Sequence, residues 1–226
     1  MQVHTNAVAA EELVARLRPA LSSGDLRDAL EWVQQKWSPA QLLGLLDNPS
    51  TDARKVAALA LGMIGDTTAV RPLAVALHDD DLMVSQIAEH ALWSIWFRLG
   101  KPRAVCLVKC GNTHLEHGNY ECAIEKFSQA VNEDQTFAEA RNQRAIAYYL
   151  TEQYGKSIAD CMQAMVLMPQ HFGAMAGMGH CYAHRGEWKQ ARQCYRLALA
   201  IHPRLDGVET SLDQIERLIH EHPEIR

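Results

Sequence analysis

The feature that most constrains this chain is a spacing. Gly111, Ala145 and Gly179 lie 34 residues apart, and the same interval relates Leu115, Tyr149 and Ala183; Tyr120, Tyr154 and Trp188; Phe127, Cys161 and Tyr195; and Ala130, Ala164 and Ala198. No insertion breaks the register between Ala104 and Leu205. Small residues recur where two helices must approach closely, and bulky residues recur beside them, so each unit reads as two amphipathic helices joined by a tight turn. Self-similarity at this period marks a helical repeat array.

These residues resemble the tetratricopeptide repeat. Pro169 and Pro203 keep the helix-ending proline of that family where the first unit has Gln135. Two departures fall in the middle unit: Cys161 stands in an aromatic slot, and Glu152 stands where the other units carry Gly118 and Gly186. A looser middle hairpin is the expectation. The resemblance implies a right-handed superhelix whose concave groove binds a peptide or a partner helix.

A second interval, of 31 residues, relates Ala57 to Ala88, Ala60 to Ala91, Leu61 to Leu92 and Ile64 to Ile95. With its Ala-rich helix ending in Ala60-Leu61-Gly62, this segment resembles short HEAT repeats of the lyase type. The chain is therefore expected to be all-α, a right-handed α-solenoid divided as follows: 1–37 N-terminal helices and a possible cap, 38–101 HEAT-like repeats, 104–205 three tetratricopeptide repeats, 206–226 a capping helix. The first six or seven residues read as disordered, followed by helices over 8–21 and 26–37, the second capped by Asp25. Ser38-Pro39-Ala40-Gln41 predicts a capped helix running to about Leu46. Arg98-Leu99-Gly100-Lys101-Pro102 predicts a helix end with Gly100 left-handed. The link is too short for a free tether, so the two arrays are expected to stack into one solenoid.

Composition restricts the function classes. A net charge of −5 and a pI near 6.1 give no electrostatic ground for nucleic acid or a membrane surface as partner. Glu11 and Glu12 interrupt any signal-peptide core. Six cysteines without a secretory signal predict reduced thiols and a cytoplasmic protein.

In the tetratricopeptide register the concave face takes Val108, Lys109, Asn112 and Leu115 from the first unit. Asn142, Gln143, Ile146 and Tyr149 come from the second, and His180 and His184 from the third. This set offers amides for a peptide backbone, apolar contacts and one aromatic platform, and the expected partner is another protein or peptide. Chaperone-binding members of the family hold a C-terminal carboxylate through Lys, Asn and Arg side chains at five positions. Here those positions hold Val108, Asn112, Gln143, Gly173 and Gly177; only Asn112 matches, which argues against a chaperone carboxylate.

Cys106, Cys110, His114 and His117 share one helical stripe. Four ligands strung along a straight helix cannot surround one ion, so they are read as structural, with Cys110 and His114 facing the paired helix. No metal, cofactor or catalytic residue is expected. Arg185, Lys189, Arg192 and Arg196 form a basic stripe read as a solvated face. The expected function is a non-catalytic adaptor or assembly scaffold. The competing class is an enzyme or a cofactor- or metal-handling protein of the HEAT-lyase type, for which the nearest motif is the single, reversed pair Glu89-His90.

Overall fold

The computed structural model describes residues 10–19 and 27–222. The expectations on the first residues and on Asp25 lie outside them. All regular structure among the described residues is helical: α1 (residues 10–19), α2 (Arg27–Lys36), α3 (Pro39–Leu43), α4 (Thr51–Ile64), α5 (Thr67–Ala76), α6 (Leu82–Arg98), α7 (Pro102–Glu116), α8 (Tyr120–Glu133), α9 (Ala138–Leu150), α10 (Tyr154–Leu167), α11 (Phe172–His184), α12 (Trp188–Ile201) and α13 (Val208–Glu221). The chain divides into two compact units, Met1–Ile95 and Trp96–Arg226.

In the first unit, Ser38 caps α3 with the reciprocal Gln41 bond that its sequence predicts, but α3 ends at Leu43. Ala57, Ala60 and Leu61 of α4 are buried, as are Ala88, Ala91 and Leu92 of α6. A Cβ added at Gly62 would lie 3.0 Å from Ala91 Cα, so the small residues allow close approach of the two helices. Arg54 donates to both carboxylate oxygens of Asp79, at 2.7 and 2.9 Å, and Lys55 donates to Asp81 at 3.1 Å. These bonds tie α4 to the loop before α6.

In the second unit, α7/α8, α9/α10 and α11/α12 are three helical hairpins, and α13 buries Val208, Ile215 and Ile219 with Tyr195 and Ala198 of α12. Each hairpin turns in the same way. Asn119 N–H donates to His114 O at 2.9 Å, Gln153 to Tyr148 at 2.8 Å and Glu187 to Tyr182 at 2.9 Å, a six-residue closure over a left-handed residue. That residue is Gly118 or Gly186 at φ 73° and Glu152 at φ 59°. Glu152 therefore keeps the turn while carrying a side chain, in a conformation that costs an L-residue roughly 1–2 kcal/mol.

Packing inside each hairpin follows the size of two facing residues. A Cβ on Gly111 would overlap the Phe127 ring, and one on Gly179 would lie 2.6 Å from Tyr195 Cε1. In the middle hairpin the sizes are exchanged, with Ala145 for glycine and Cys161 for the aromatic, and both are buried in one cluster at 2% and 1% exposure. Ala145 thus brings a methyl to the position where the other units have glycine, and Cys161 lacks the ring that the other units carry. The expectation for Gly100 is corrected. It is absent from the left-handed residues, and a Cβ there would lie 2.5 Å from the Phe137 ring, so close packing requires the glycine.

Candidate functional site

The first helices α7, α9 and α11 carry the residues assigned to the concave face. Val108 does not belong there: it is fully buried with Ala104, Ala123 and Phe127 in the core of the first hairpin. The stripe that meets α8 is Ala104, Val108 and Gly111, which turns Cys106 and Cys110 outward. Both thiols are exposed, correcting the expectation that Cys110 is core. Lys109 is exposed, Leu115 packs half-buried on the first core, and Asn112 is half-buried. Asn112 Oδ1 is buried and accepts no hydrogen bond.

Asn142 and Gln143 are committed inward. Asn142 Nδ2 and Gln143 Nε2 donate to Glu139 Oε1 at 3.3 and 2.6 Å, and Glu139 is itself fully buried. Its other oxygen accepts from His171 Nε2 at 2.9 Å. His171 Nδ1 accepts the Ala174 N–H at 3.2 Å, which makes the ring a neutral Nε2–H tautomer capping α11. Trp96 stacks on that ring at 4.4 Å and 11°. The buried carboxylate thus accepts from three donors, one N–H of each amide among them, which fixes the direction of both amide groups.

Between α9, α11 and the start of α13 lies a cavity of about 260 Å³. Ala145, Ile146, Tyr149, Ala176 and Val208 give it apolar walls, Gly173 and Gly177 leave it open, and Asn142, Ser157, His180 and Asp206 are its polar lining. Gly177 has no packing reason to be glycine, because a Cβ there would sit 3.7 Å from Cys161 Sγ, an ordinary contact. Ile146 is 36% and Leu150 42% exposed beside it.

Two of the lining residues, Tyr149 and His180, belong to an aromatic and imidazole cluster. The Tyr149 hydroxyl is 2.8 Å from His184 Nε2, and the Tyr195 hydroxyl is 2.8 Å from His180 Nδ1. Tyr154 stacks on His184 at 5.2 Å and 16°. Burial, with the neighbouring His184, pushes the His180 imidazole below its ordinary range. Burial pushes the Tyr195 hydroxyl up to about 12 and raises that of Tyr149. The phenols therefore stay protonated and can donate. Tyr154, Leu205 and Asp206 escaped the sequence reading. The 34-residue register held the signal for Tyr154, since it groups that residue with Tyr120 and Trp188.

Against known proteins, residues 173–205 match the family model described as Tetratricopeptide repeat. Human tetratricopeptide repeat protein 12 is 30% identical over 120 residues, 53% of this chain and 17% of that protein. The small glutamine-rich tetratricopeptide repeat-containing protein of Dictyostelium discoideum is 31% identical over 123 residues, 54% of this chain and 37% of that protein. The matched segments thus span well under half of either relative. Among solved structures, the Sgt2 TPR domain from Aspergillus fumigatus aligns with a TM-score of 0.53 at 23% identity, over 55% of this chain and 84% of that one. The first TPR of Spaghetti (RPAP3), bound to the HSP90 peptide SRMEEVD, aligns with a TM-score of 0.51 at 21% identity, over 52% of this chain and 94% of that one. Family model and relatives support the tetratricopeptide assignment, and the solved structures share its solenoid fold.

The last of these overturns the argument against a chaperone carboxylate. That argument tested five side chains, whereas a domain of this fold is seen holding an HSP90 peptide. Among the described residues no helix is long and apolar enough to cross a membrane.

Proposed function

We propose that this chain is a non-catalytic adaptor that holds a segment of another protein against the concave face of α7, α9 and α11. The observation that carries this reading is the cavity of about 260 Å³ between α9 and α11, walled by apolar side chains and widened by a glycine that packing does not require. Ile146 and Tyr149 supply apolar contact to the guest. A chaperone peptide of the SRMEEVD kind is the first guest to test. The segment 38–101 is read as HEAT-like.

The experiment is calorimetric titration of SRMEEVD and of its C-terminal amide into the whole chain. Alongside it, proteins retained from cytosol by wild type are compared with those retained by an Ile146→Asp, Tyr149→Ala variant of unchanged helicity. Binding lost in the variant supports the groove. Guests retained equally by both proteins would move the binding face elsewhere and overturn the assignment.

A further inference from the structure

Helix α11 carries no Lys, Arg, Asp or Glu between Phe172 and His184, so any charge it brings to the concave face must come from histidine. His180 and His184 lie one turn apart on it, and His180 lines the cavity. Each ring has one nitrogen held by a phenol at 2.8 Å. A phenol can donate to a neutral imidazole or accept from an imidazolium N–H, so protonation reverses these bonds without breaking them. The second nitrogen of each ring, Nε2 of His180 and Nδ1 of His184, is left to serve a guest.

We infer that His180 and His184 are the anion-binding pair of the groove, and that an acidic guest is bound with uptake of a proton. The inference rests on the adaptor reading. The groups facing the pair are Tyr149 on α9, Tyr154 and Cys161 on α10, Tyr195 on α12, Cys181 on α11 itself and Asp206 before α13. Arg185, next in the chain, is bound to Glu187 at 2.7 Å. Of these groups only Asp206 carries charge into the cavity, and its negative sign opposes an anion while both imidazoles are neutral. Protonating His180 cancels that charge, and protonating His184 adds a positive one beside it. A carboxylate then offsets the burial that holds the His180 proton off, and by linkage it binds more tightly as pH falls.

The test measures the affinity of SRMEEVD and of its C-terminal amide at pH 8.0, 7.0 and 6.0, for wild type, His180→Gln and His184→Gln. Histidine ring NMR follows both side chains with and without peptide. The expected result is affinity rising about fivefold or more from pH 8.0 to 6.0. The rise is cut in each variant, and histidine titration moves to higher pH when peptide is present. If the rise is confined to the free-acid peptide, the bound anion is the terminal carboxylate; if the amide shares it, the anion is a Glu or Asp side chain. Affinity flat with pH, or a slope unchanged in both variants, would overturn this inference and leave the adaptor reading standing. Absence of binding at every pH would remove both for this guest.

Discussion

Replacing Gly177 and Gly179 by alanine, one at a time, should move the stability of the second unit in opposite directions. Both lie inside α11, where alanine is better than glycine by about 0.8–1.0 kcal/mol. At position 177 the new methyl meets Cys161 Sγ at 3.7 Å, so nothing opposes that gain and Gly177→Ala should stabilise by about 0.8 kcal/mol. At 179 the methyl would stand 2.6 and 2.7 Å from two Tyr195 ring carbons, roughly 1 Å inside ordinary carbon contact. Tyr195 is 1% exposed and its hydroxyl is held by His180, so the ring has nowhere to retreat. Overpacking of this kind costs about 1–3 kcal/mol and the strained hydrogen bond about 1 more, against less than 1 gained, which leaves Gly179→Ala down by about 2 kcal/mol. Urea unfolding followed by circular dichroism reads both. Equal effects at the two positions, or a stabilised Gly179→Ala, would refute the facing of α11 and α12 described here.

Three further outcomes are expected. Glu152→Gly should raise stability by about 1 kcal/mol in the same unfolding assay, because glycine reaches the left-handed turn without the side-chain penalty. Cys161→Phe should destabilise by about 1–3 kcal/mol through overlap with Ala145, and adding Ala145→Gly should recover most of that loss; a double mutant no better than the single one would show that the two residues do not share a slot. Because the His180 proton is held off in the folded state, the unfolded chain takes it up first. Stability from this group is present above pH ~6.5 and is lost as pH falls below it. His180→Gln should flatten the dependence of the urea midpoint on pH between 7 and 5.

The hairpins were legible because their cause is local and periodic: a small residue and a large one facing each other, repeated at a fixed interval. Exposure on the first helices was legible only where it follows from helix phase, as at Ile146 and His184. It failed at Val108, where the residue turns into its own hairpin. It failed for the amides of Asn142 and Gln143 because Glu139 is fully buried, whereas a glutamate met in a sequence is assigned to solvent. The partner that makes this burial tolerable, His171, is 32 residues away and arrives through stacking of hairpins. The exposed Cys106 and Cys110 show the same limit, since a repeat register says which side meets the paired helix only after the buried stripe is known.

The exchange of sizes in the middle hairpin has a consequence for how the chain finds itself. Three second helices of similar sequence are tied to three similar first helices, and any of them could try the wrong seat during folding. A helix bearing Phe127 or Tyr195 collides with Ala145, while α10, bearing Cys161, leaves an unfilled gap over Gly111 or Gly179. One methyl and one missing ring thus serve as an address, telling siblings apart inside a single molecule.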